Sequence, residues 1–231
     1  MRPNRTFITN AAIGLMLIGL FAVVSFVDLS STFISVEAPV YSGKSETKSV
    51  AFMFNVYENE ETVREIMKVL EENNASATFF VGGKWAKDNL STVIEIGKKF
   101  ELGNHGYSHA ELAISNVEKI TQELSATHKI VKGATGIEMK LFAPPSGHFN
   151  KTTLSVAEKL GYTTVMWTQG KDTIDWRDHD KDLIIKRATR DAKNGDLILM
   201  HPTAETLEAL PDIINFYTNN KFSMEKVSEI I

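Results

Sequence analysis

Two histidines four residues apart are the side chains whose type and spacing most directly suggest chemistry in this chain. His105 and His109 belong to the string GNHGYSH, which begins at Gly103. Neutral imidazole is the commonest protein ligand for divalent ions of the zinc, nickel and iron type, and two imidazoles on one short loop can close on one ion. The pair therefore predicts a metal site, for which the spacing alone is weak support.

More polar strings each follow an apolar stretch that is typical of a buried β-strand. They contain Asn55, residues 144–147, residues 172–176 and His201. In a parallel α/β barrel the carboxyl ends of all strands lie on one face, and that face holds the active site. We therefore expect these strings and the two histidines to lie together in one depression at that face, which we call the bowl. The fact that all of them follow predicted strands is stronger evidence for a site than any single string.

The elements that must position these side chains follow from alternating patterns that begin at Ser49. Short apolar runs predict strands at 50–54, 77–81, 101–102, 140–142, 163–167, 197–200 and 222–227. Apolar residues at helical spacing predict helices at 60–72, 89–100, 116–132, 152–160, 182–192 and 206–218. Such alternation predicts an α/β fold with parallel strands, as in a small or incomplete barrel of about seven strand–helix units. Periodicity alone does not separate this barrel from a doubly wound open sheet.

Composition excludes several kinds of site. The 231 residues are 43% apolar, enough for a substantial core in one domain. A net charge of −4, with no basic stripe carrying interleaved aromatic residues, argues against nucleic-acid binding. The chain has no cysteine, which excludes disulfides, cysteine-bound zinc and a thiol nucleophile. No glycine-rich Walker or dinucleotide loop follows a predicted strand, so nucleotide binding has no support.

The amino-terminal segment predicts a membrane anchor. Arg2 and Arg5 precede an uncharged stretch from Phe7 to Val27, and about 20 apolar residues are enough to cross the membrane as a helix. Positive residues on the amino side predict that this end stays in the cytoplasm. A cleaved signal peptide is the alternative, but Pro39 directly follows the best cleavage site, at residues 36–38, and should hinder cleavage.

The predicted organisation has three parts. Residues 1–28 form a membrane anchor or uncleaved signal, residues 29–48 form a linker rich in serine, threonine and lysine, and residues 49–231 form the globular domain. We therefore expect a single-pass protein of the cell membrane with its domain on the extracytoplasmic side.

In this order, the polar strings resemble those of polysaccharide deacetylases of the NodB-homology type, the family 4 carbohydrate esterases. The resemblance covers the chain from Ser49 to its carboxyl terminus. It implies a distorted (β/α) barrel that removes acetyl groups from N-acetylated sugars in peptidoglycan, chitin or related polymers. It also implies a divalent metal held by one aspartate and two histidines, a second aspartate as base, and a histidine as acid.

The resemblance assigns these roles to particular residues. His105 and His109 match the two metal-binding histidines, which implies Zn²⁺, or Co²⁺ or Ni²⁺, when the site is filled. His201, in the Leu-x-His string, matches the acid, and Asp175, in the Asp-x-x-Asp-Trp string, matches the residue that orients it. Contacts with the sugar are expected at four residues: Pro144, Pro145, Trp176 and Tyr57.

The chain departs from the family pattern at the first string, where the family has Thr-Phe-Asp-Asp-Gly and this chain has MFNVY at residues 53–57. Asn55 stands in place of the base, although an amide cannot take a proton at neutral pH. Val56 stands in place of the third ligand and has no ligating atom. Ala143 replaces the arginine that would hold the base, a coherent loss because a buried arginine without its partner is costly. The string also resembles that of a branch of the family, frequent in spore-forming bacteria, with Asn-Val or Asp-Val at this place.

Several nearby residues are candidates to replace what is missing. Glu58, Glu60 or His148 could supply a ligand, and Asp172 could serve as base. Two functions therefore stay open. One is a metal-dependent, membrane-anchored hydrolase that deacetylates a cell-wall polysaccharide with a rearranged site. The other is a carbohydrate-binding pseudoenzyme of the same fold, which needs no metal.

Overall fold

The computed structural model describes Met16, residues 37–44 and residues 46–231. The chain divides into two units, Met1–Ser35 and Val36–Ile231, and the fold described here is that of the second. The predicted anchor at 1–28, apart from Met16, and residues 29–36 of the predicted linker lie outside the described residues. Within the described ranges, no helix is both long and apolar enough to span a membrane.

Strands and helices alternate through residues 46–231. The strands are β1 (Ser49–Val56), β2 (Thr78–Val81), β3 (Glu101–Asn104), β4 (Leu141–Phe142), β5 (Thr163–Thr164), β6 (Leu197–Met200) and β7 (Ser223–Glu225). The helices are α1 (Glu60–Glu72), α2 (Gly83–Asp88), α3 (Leu90–Lys99), α4 (Val117–Thr135), α5 (Lys151–Lys159), α6 (Lys181–Thr189), α7 (Ala204–Asn219) and α8 (Val227–Ile230). Single 3₁₀ turns occupy Leu112–Ile114 and Pro145–Gly147.

The strands form one parallel sheet in the order β5-β4-β3-β2-β1-β6, and β7 pairs with the start of β1. The sheet curls into an α/β half-barrel, which confirms the predicted fold class and excludes the open sheet. Its register aligns Val56 with Val81, Val81 with Asn104, and Asn104 with Phe142. The residues that follow these four positions therefore emerge together at the carboxyl edge of the sheet.

Alternation along β1 separates two apolar clusters. Phe52, Phe54 and Val56 pack in the larger cluster, which also contains buried residues of the covering helices. Ala51 and Met53 pack in the smaller cluster, which is built mostly from strand residues inside the curl of the sheet. Since successive side chains of a strand point to opposite faces, Asn55 shares the inner face with Ala51 and Met53.

A short segment closes the gap between β5 and β6. The backbone nitrogen of Val40 donates to the Thr164 carbonyl at 2.9 Å, and that of Gly43 donates to the Gly195 carbonyl at 2.7 Å. Val40 forms a parallel bridge with Val165. The segment 40–43, which the sequence places in the linker, thus adds backbone hydrogen bonds to the barrel.

The observed elements differ from the predicted ones in two further places. The helix predicted at 89–100 is observed as α3, but a short helix that was not predicted, α2, precedes it directly after β2. The strand predicted at 163–167 has only two residues in β5, and its continuation pairs with the 40–43 segment instead. Helix α1, by contrast, spans the predicted residues 60–72.

Candidate functional site

His105 is the first residue after β3 and is almost fully buried. Its Nδ1 lies 2.7 Å from the carbonyl oxygen of Ala143. Because a carbonyl only accepts, Nδ1 must carry the proton, and Nε2 keeps a free lone pair. Burial lowers the pKa of His105 to about 3, so the ring is neutral at physiological pH.

The loop that carries the two histidines is held by a buried carboxylate. Glu123 of α4 accepts hydrogen bonds from the backbone nitrogens of Tyr107 and Ser108, both at 2.7 Å. The Ser108 hydroxyl donates to its second oxygen at 2.6 Å. The side chain of Asn104 accepts from the Gly106 nitrogen at 2.9 Å. These bonds fix the backbone between the two imidazoles.

The two imidazole rings are 5.7 Å apart between centroids and nearly perpendicular. Tyr57 lies against both: its ring centroid is 5.0 Å from that of His105 and 4.5 Å from that of His109. Its hydroxyl donates to the His105 carbonyl oxygen. Tyr57, predicted to contact sugar, is thus engaged by the protein itself.

Asp175 and His201 form a tightly bonded pair at the end of β6. The carboxylate is fully buried and lies 2.8 Å from His201 Nδ1. It also accepts from the Thr206 hydroxyl at 2.6 Å and from the Trp176 nitrogen at 3.0 Å. With Nδ1 committed, Nε2 of the partly exposed His201 is the nitrogen available to a ligand. A positive charge on His201 lowers the pKa of both His105 and His109, so the three imidazoles are electrostatic neighbours.

Asn55 and Val56 supply neither a base nor a metal ligand. Asn55 is 6% exposed, and its Oδ1 is buried without a hydrogen-bond partner in the described part of the chain. Val56 is fully buried in the apolar core. Ala143, in place of the arginine, is also buried and offers only its carbonyl, which His105 already uses.

The candidate replacement ligands do not join the two histidines. Glu58 is exposed to solvent, and Glu60 binds Arg64 and Thr92 instead. His148 is exposed, and its Nδ1 lies 2.9 Å from a carboxylate oxygen of Glu111. Among residues 37–44 and 46–231, no three His, Cys, Asp or Glu side chains come together as a metal site. In this structure Glu58 points to solvent and His148 is paired with Glu111, and their role as replacement ligands stays a prediction.

Asp172 is the one candidate replacement that reaches the bowl. It is half-buried, and its Oδ1 accepts from the Ile174 nitrogen at 2.9 Å. Burial raises its pKa, while a charge on His201 opposes that rise, so the two groups are electrostatic neighbours. A carboxyl whose pKa is raised in a cleft is a reasonable proton carrier, and its role as base stays a prediction.

Of the residues predicted to contact sugar, Trp176 is the most accessible. It is 57% exposed beside Asp175, with the Arg177 guanidinium 5.8 Å from its ring centroid. Pro144 and Pro145 are buried and shape the turn after β4. A cavity of about 190 Å³ next to Tyr57 was not foreseen; the other residues lining it are Lys84, Trp85, Asp88, Asn89, Tyr107 and Ser108.

Glu123 and Thr206 support the site and were also missed from the sequence. An acidic residue among Ile120, Leu124 and Thr127 on the buried side of α4 is the signal that could have revealed Glu123. Thr206 gives no such signal, because a threonine in the first turn of a helix is ordinary.

Comparison with known proteins identifies the family. Residues 42–165 match the family model described as polysaccharide deacetylase. The chain belongs to the polysaccharide deacetylase family. A peptidoglycan-N-acetylglucosamine deacetylase of Bacillus cereus is 28% identical over 189 residues, which cover 80% of this chain and 88% of the relative. YlxY, an uncharacterised protein of Bacillus subtilis, is 33% identical over 84% of this chain, but the match spans only 60% of that relative.

Solved structures similar to this chain include a wild-type protein and a mutant of it. BA3943 of Bacillus anthracis, described as a pseudoenzyme of carbohydrate esterase family 4, has a TM-score of 0.79 at 32% identity and covers 84% of this chain and 68% of its own. A mutant of it, described as having restored enzymatic activity, has a TM-score of 0.79 at 31% identity and covers 84% of this chain and 71% of its own.

Proposed function

We propose that this deacetylase-family protein binds an N-acetylated cell-wall polysaccharide in its bowl without hydrolysing it. One observation carries the proposal. The two histidines at the bowl, His105 and His109, have no third ligand among the described residues, and an amide, Asn55, stands where the base belongs. The pseudoenzyme status of a relative at 32% identity gives further support.

The missing groups are the ones that the chemistry needs first. Metal-assisted hydrolysis of an acetamide requires a Lewis acid, an activated water and a proton for the leaving amine. Only the proton donor, His201 oriented by Asp175, is built as the family requires. The residues present therefore do not fit a three-ligand divalent ion, and we derive no reaction step through one.

Glycan binding is supported by the surfaces that remain. Trp176 presents an exposed ring at the edge of the bowl, and aromatic faces are suited to stacking on sugar rings. The cavity beside Tyr57 combines aromatic walls with Asp88 and Asn89, which can accept and donate hydrogen bonds to hydroxyl groups. Relatives named as peptidoglycan deacetylases make peptidoglycan the first polymer to test.

A second candidate is a working N-deacetylase with a rearranged site. The specific observation in its favour is the intact Asp175–His201 pair, since a protein that only binds sugar has no need of an oriented acid. In that case Asp172, which lies near His201, would take the place of the base.

The test measures hydrolysis and binding on the same preparation. The full chain, purified in mild detergent and supplied with Zn²⁺, Co²⁺ or Ni²⁺, is incubated with N-acetylglucosamine oligomers and with insoluble peptidoglycan. We expect no acetate release, but co-sedimentation with peptidoglycan. Trp176→Ala should weaken sedimentation about tenfold or more, whereas Val117→Ala, an exposed apolar residue at the start of α4, should leave it unchanged.

Two outcomes would overturn the proposal. Acetate release that disappears in both His105→Ala and His201→Ala would establish the hydrolase instead. Absence of both release and sedimentation would leave neither function standing.

We also propose that the domain lies outside the cell membrane, attached through residues 1–28. Support comes from Arg2 and Arg5, which precede the apolar stretch 7–27. In intact cells whose outer face is accessible, protease should remove a carboxyl-terminal epitope tag. Protection of the tag until the cells are lysed would reverse the orientation.

A further inference from the structure

Tyr57 occupies a position where the family string has glycine. The string Asp-Asp-Gly of the family reads Asn-Val-Tyr at residues 55–57 of this chain. The chain has therefore lost a base and a ligand and, at the next position, has gained a large aromatic side chain.

The tyrosine hydroxyl bonds the loop that carries the two histidines. It donates to the carbonyl oxygen of His105, and its ring lies edge-on against the imidazole of His109. One phenol group thus contacts both ends of the loop. A phenol is protonated at neutral pH, so this hydroxyl is a donor.

The tyrosine ring fills the space beside the two imidazoles. It lies 5.0 Å from the His105 ring and 4.5 Å from the His109 ring, between centroids. On its other side it packs against Gly82, where even a Cβ atom would lie 2.2 Å from the ring. The end of β2 therefore leaves room for this ring only because residue 82 is glycine.

We propose that Tyr57 is an internal clamp that takes the structural place of a metal ion in this site. A metal ion would tie His105 and His109 to the end of β1 through their lone pairs. Here the tie runs from β1 through the phenol to the backbone of the same loop, and His105 Nε2 stays free as an acceptor. Together with the bonds from Glu123 and Asn104, the clamp explains how the two histidines keep a defined arrangement although no third ligand joins them among the described residues. It does not depend on what the bowl binds.

The first test separates the hydroxyl from the ring by hydrogen exchange of the backbone amides at 105–109. In the full chain, these amides should exchange about tenfold or more faster in Tyr57→Gly, with an intermediate effect in Tyr57→Phe. Tyr107→Phe is the matched control, because Tyr107 is in the same loop but contributes its backbone rather than its hydroxyl. If the amides at 105–109 exchange in both Tyr57 variants at rates within twofold of those in the parent, the proposal is overturned.

The second test asks whether a metal ion can replace the clamp. Two variants are compared with and without Zn²⁺ alone: Asn55→Asp/Val56→Asp, and the same pair combined with Tyr57→Gly, which recreates the family string. Zn²⁺ should slow exchange at 105–109 by a larger factor in the triple variant, because the double variant is already clamped. It should have no effect on Tyr57→Gly alone.

Two results would contradict the metal-replacement idea. Protection of Tyr57→Gly by Zn²⁺ would mean that two histidines suffice for the ion, so that no substitute is needed. Equal protection in the double and triple variants would mean that Tyr57 and the ion do different things. If the triple variant does not fold, Tyr57→Phe still decides the first test. Sedimentation with peptidoglycan is a separate measurement, so failure of the clamp leaves the proposed function standing.

Discussion

The carboxylate of Asp175 binds both the ring and the backbone of His201. Its Oδ1 lies 2.8 Å from Nδ1 of the ring, and its Oδ2 lies 2.6 Å from the backbone nitrogen. Together with Thr206 and Trp176, four donors point at one fully buried side chain. The pair therefore contributes to the stability of the fold.

This arrangement predicts that Asp175→Asn is strongly destabilising. An amide nitrogen cannot accept, so some of the four donors would lose their partner in a buried place. We expect the free energy of unfolding to fall by about 2–3 kcal/mol, measured by urea denaturation. Asp182→Asn, at an exposed position of α6, is the control and should change it by less than about 0.5 kcal/mol. Equal effects of the two substitutions would show that the carboxylate is not holding His201.

Asp172 predicts a dependence of stability on pH. Burial raises its pKa above the ordinary value of 3.8. An acid with a raised folded pKa binds its proton more tightly in the folded chain, so its contribution to stability falls as the pH rises from 3.8 through the raised value. Above that window the loss is complete. Asp172→Asn cannot ionise, so the variant should be more stable than the parent at neutral pH.

Urea denaturation at a series of pH values checks this prediction. The advantage of Asp172→Asn should shrink as the pH is lowered through the window, because the parent recovers its proton. Asp182→Asn provides the baseline for a solvent-exposed carboxylate. An advantage that stays constant down to pH 3.8 would mean that the substitution acts by packing rather than by charge.

The buried side-chain amide of Asn55, at the end of β1, is expected to tolerate substitution by an apolar residue. Within the described part of the chain, the buried oxygen of Asn55 has no hydrogen-bond partner, whereas Asn104, also buried, bonds the Leu124 carbonyl, the Tyr162 hydroxyl and the Gly106 nitrogen. We expect Asn55→Leu to change the free energy of unfolding by less than about 1 kcal/mol, and Asn104→Leu to lower it by about 2–4 kcal/mol. Thermal unfolding of the two variants side by side measures the difference. A large loss in Asn55→Leu would reveal a partner for that oxygen.

The elements that depend on local periodicity could be predicted from the sequence. Val63, Ile66, Met67 and Leu70 recur at helical spacing, and all four are buried in α1, which has the predicted ends. The bowl could also be predicted, because parallel strands bring their carboxyl ends to one edge whatever the loops contain. The short helix α2 could not, since its 6 residues are too few to show helical periodicity.

The finer structure of the site depends on partners that are distant in sequence. From the sequence, Tyr57 after β1 is predicted to contact sugar. In the structure its ring turns inward against Gly82, which leaves room for it because glycine has no Cβ atom. Glu58 and His148 are chemically suitable ligands, but the direction of each side chain is set by solvent or by a local ion pair, such as that of His148 with Glu111. Residues 40–43 look like a tether because their partners, at 164–166 and 195, are far along the chain.

The closing segment predicts a difference between two glycines with almost the same backbone. Gly195 has φ 82° and Gly161 has φ 81°, so alanine is strained to a similar extent at both. A Cβ at Gly195 would lie 2.3 Å from the carbonyl oxygen of Gly43, whereas a Cβ at Gly161 meets nothing within 4 Å. Since backbone cannot move aside as a flexible side chain can, Gly195→Ala should lower the free energy of unfolding by about 1–3 kcal/mol more than Gly161→Ala. Equal losses in urea denaturation would mean that residues 40–43 are a tether after all, and not part of the barrel.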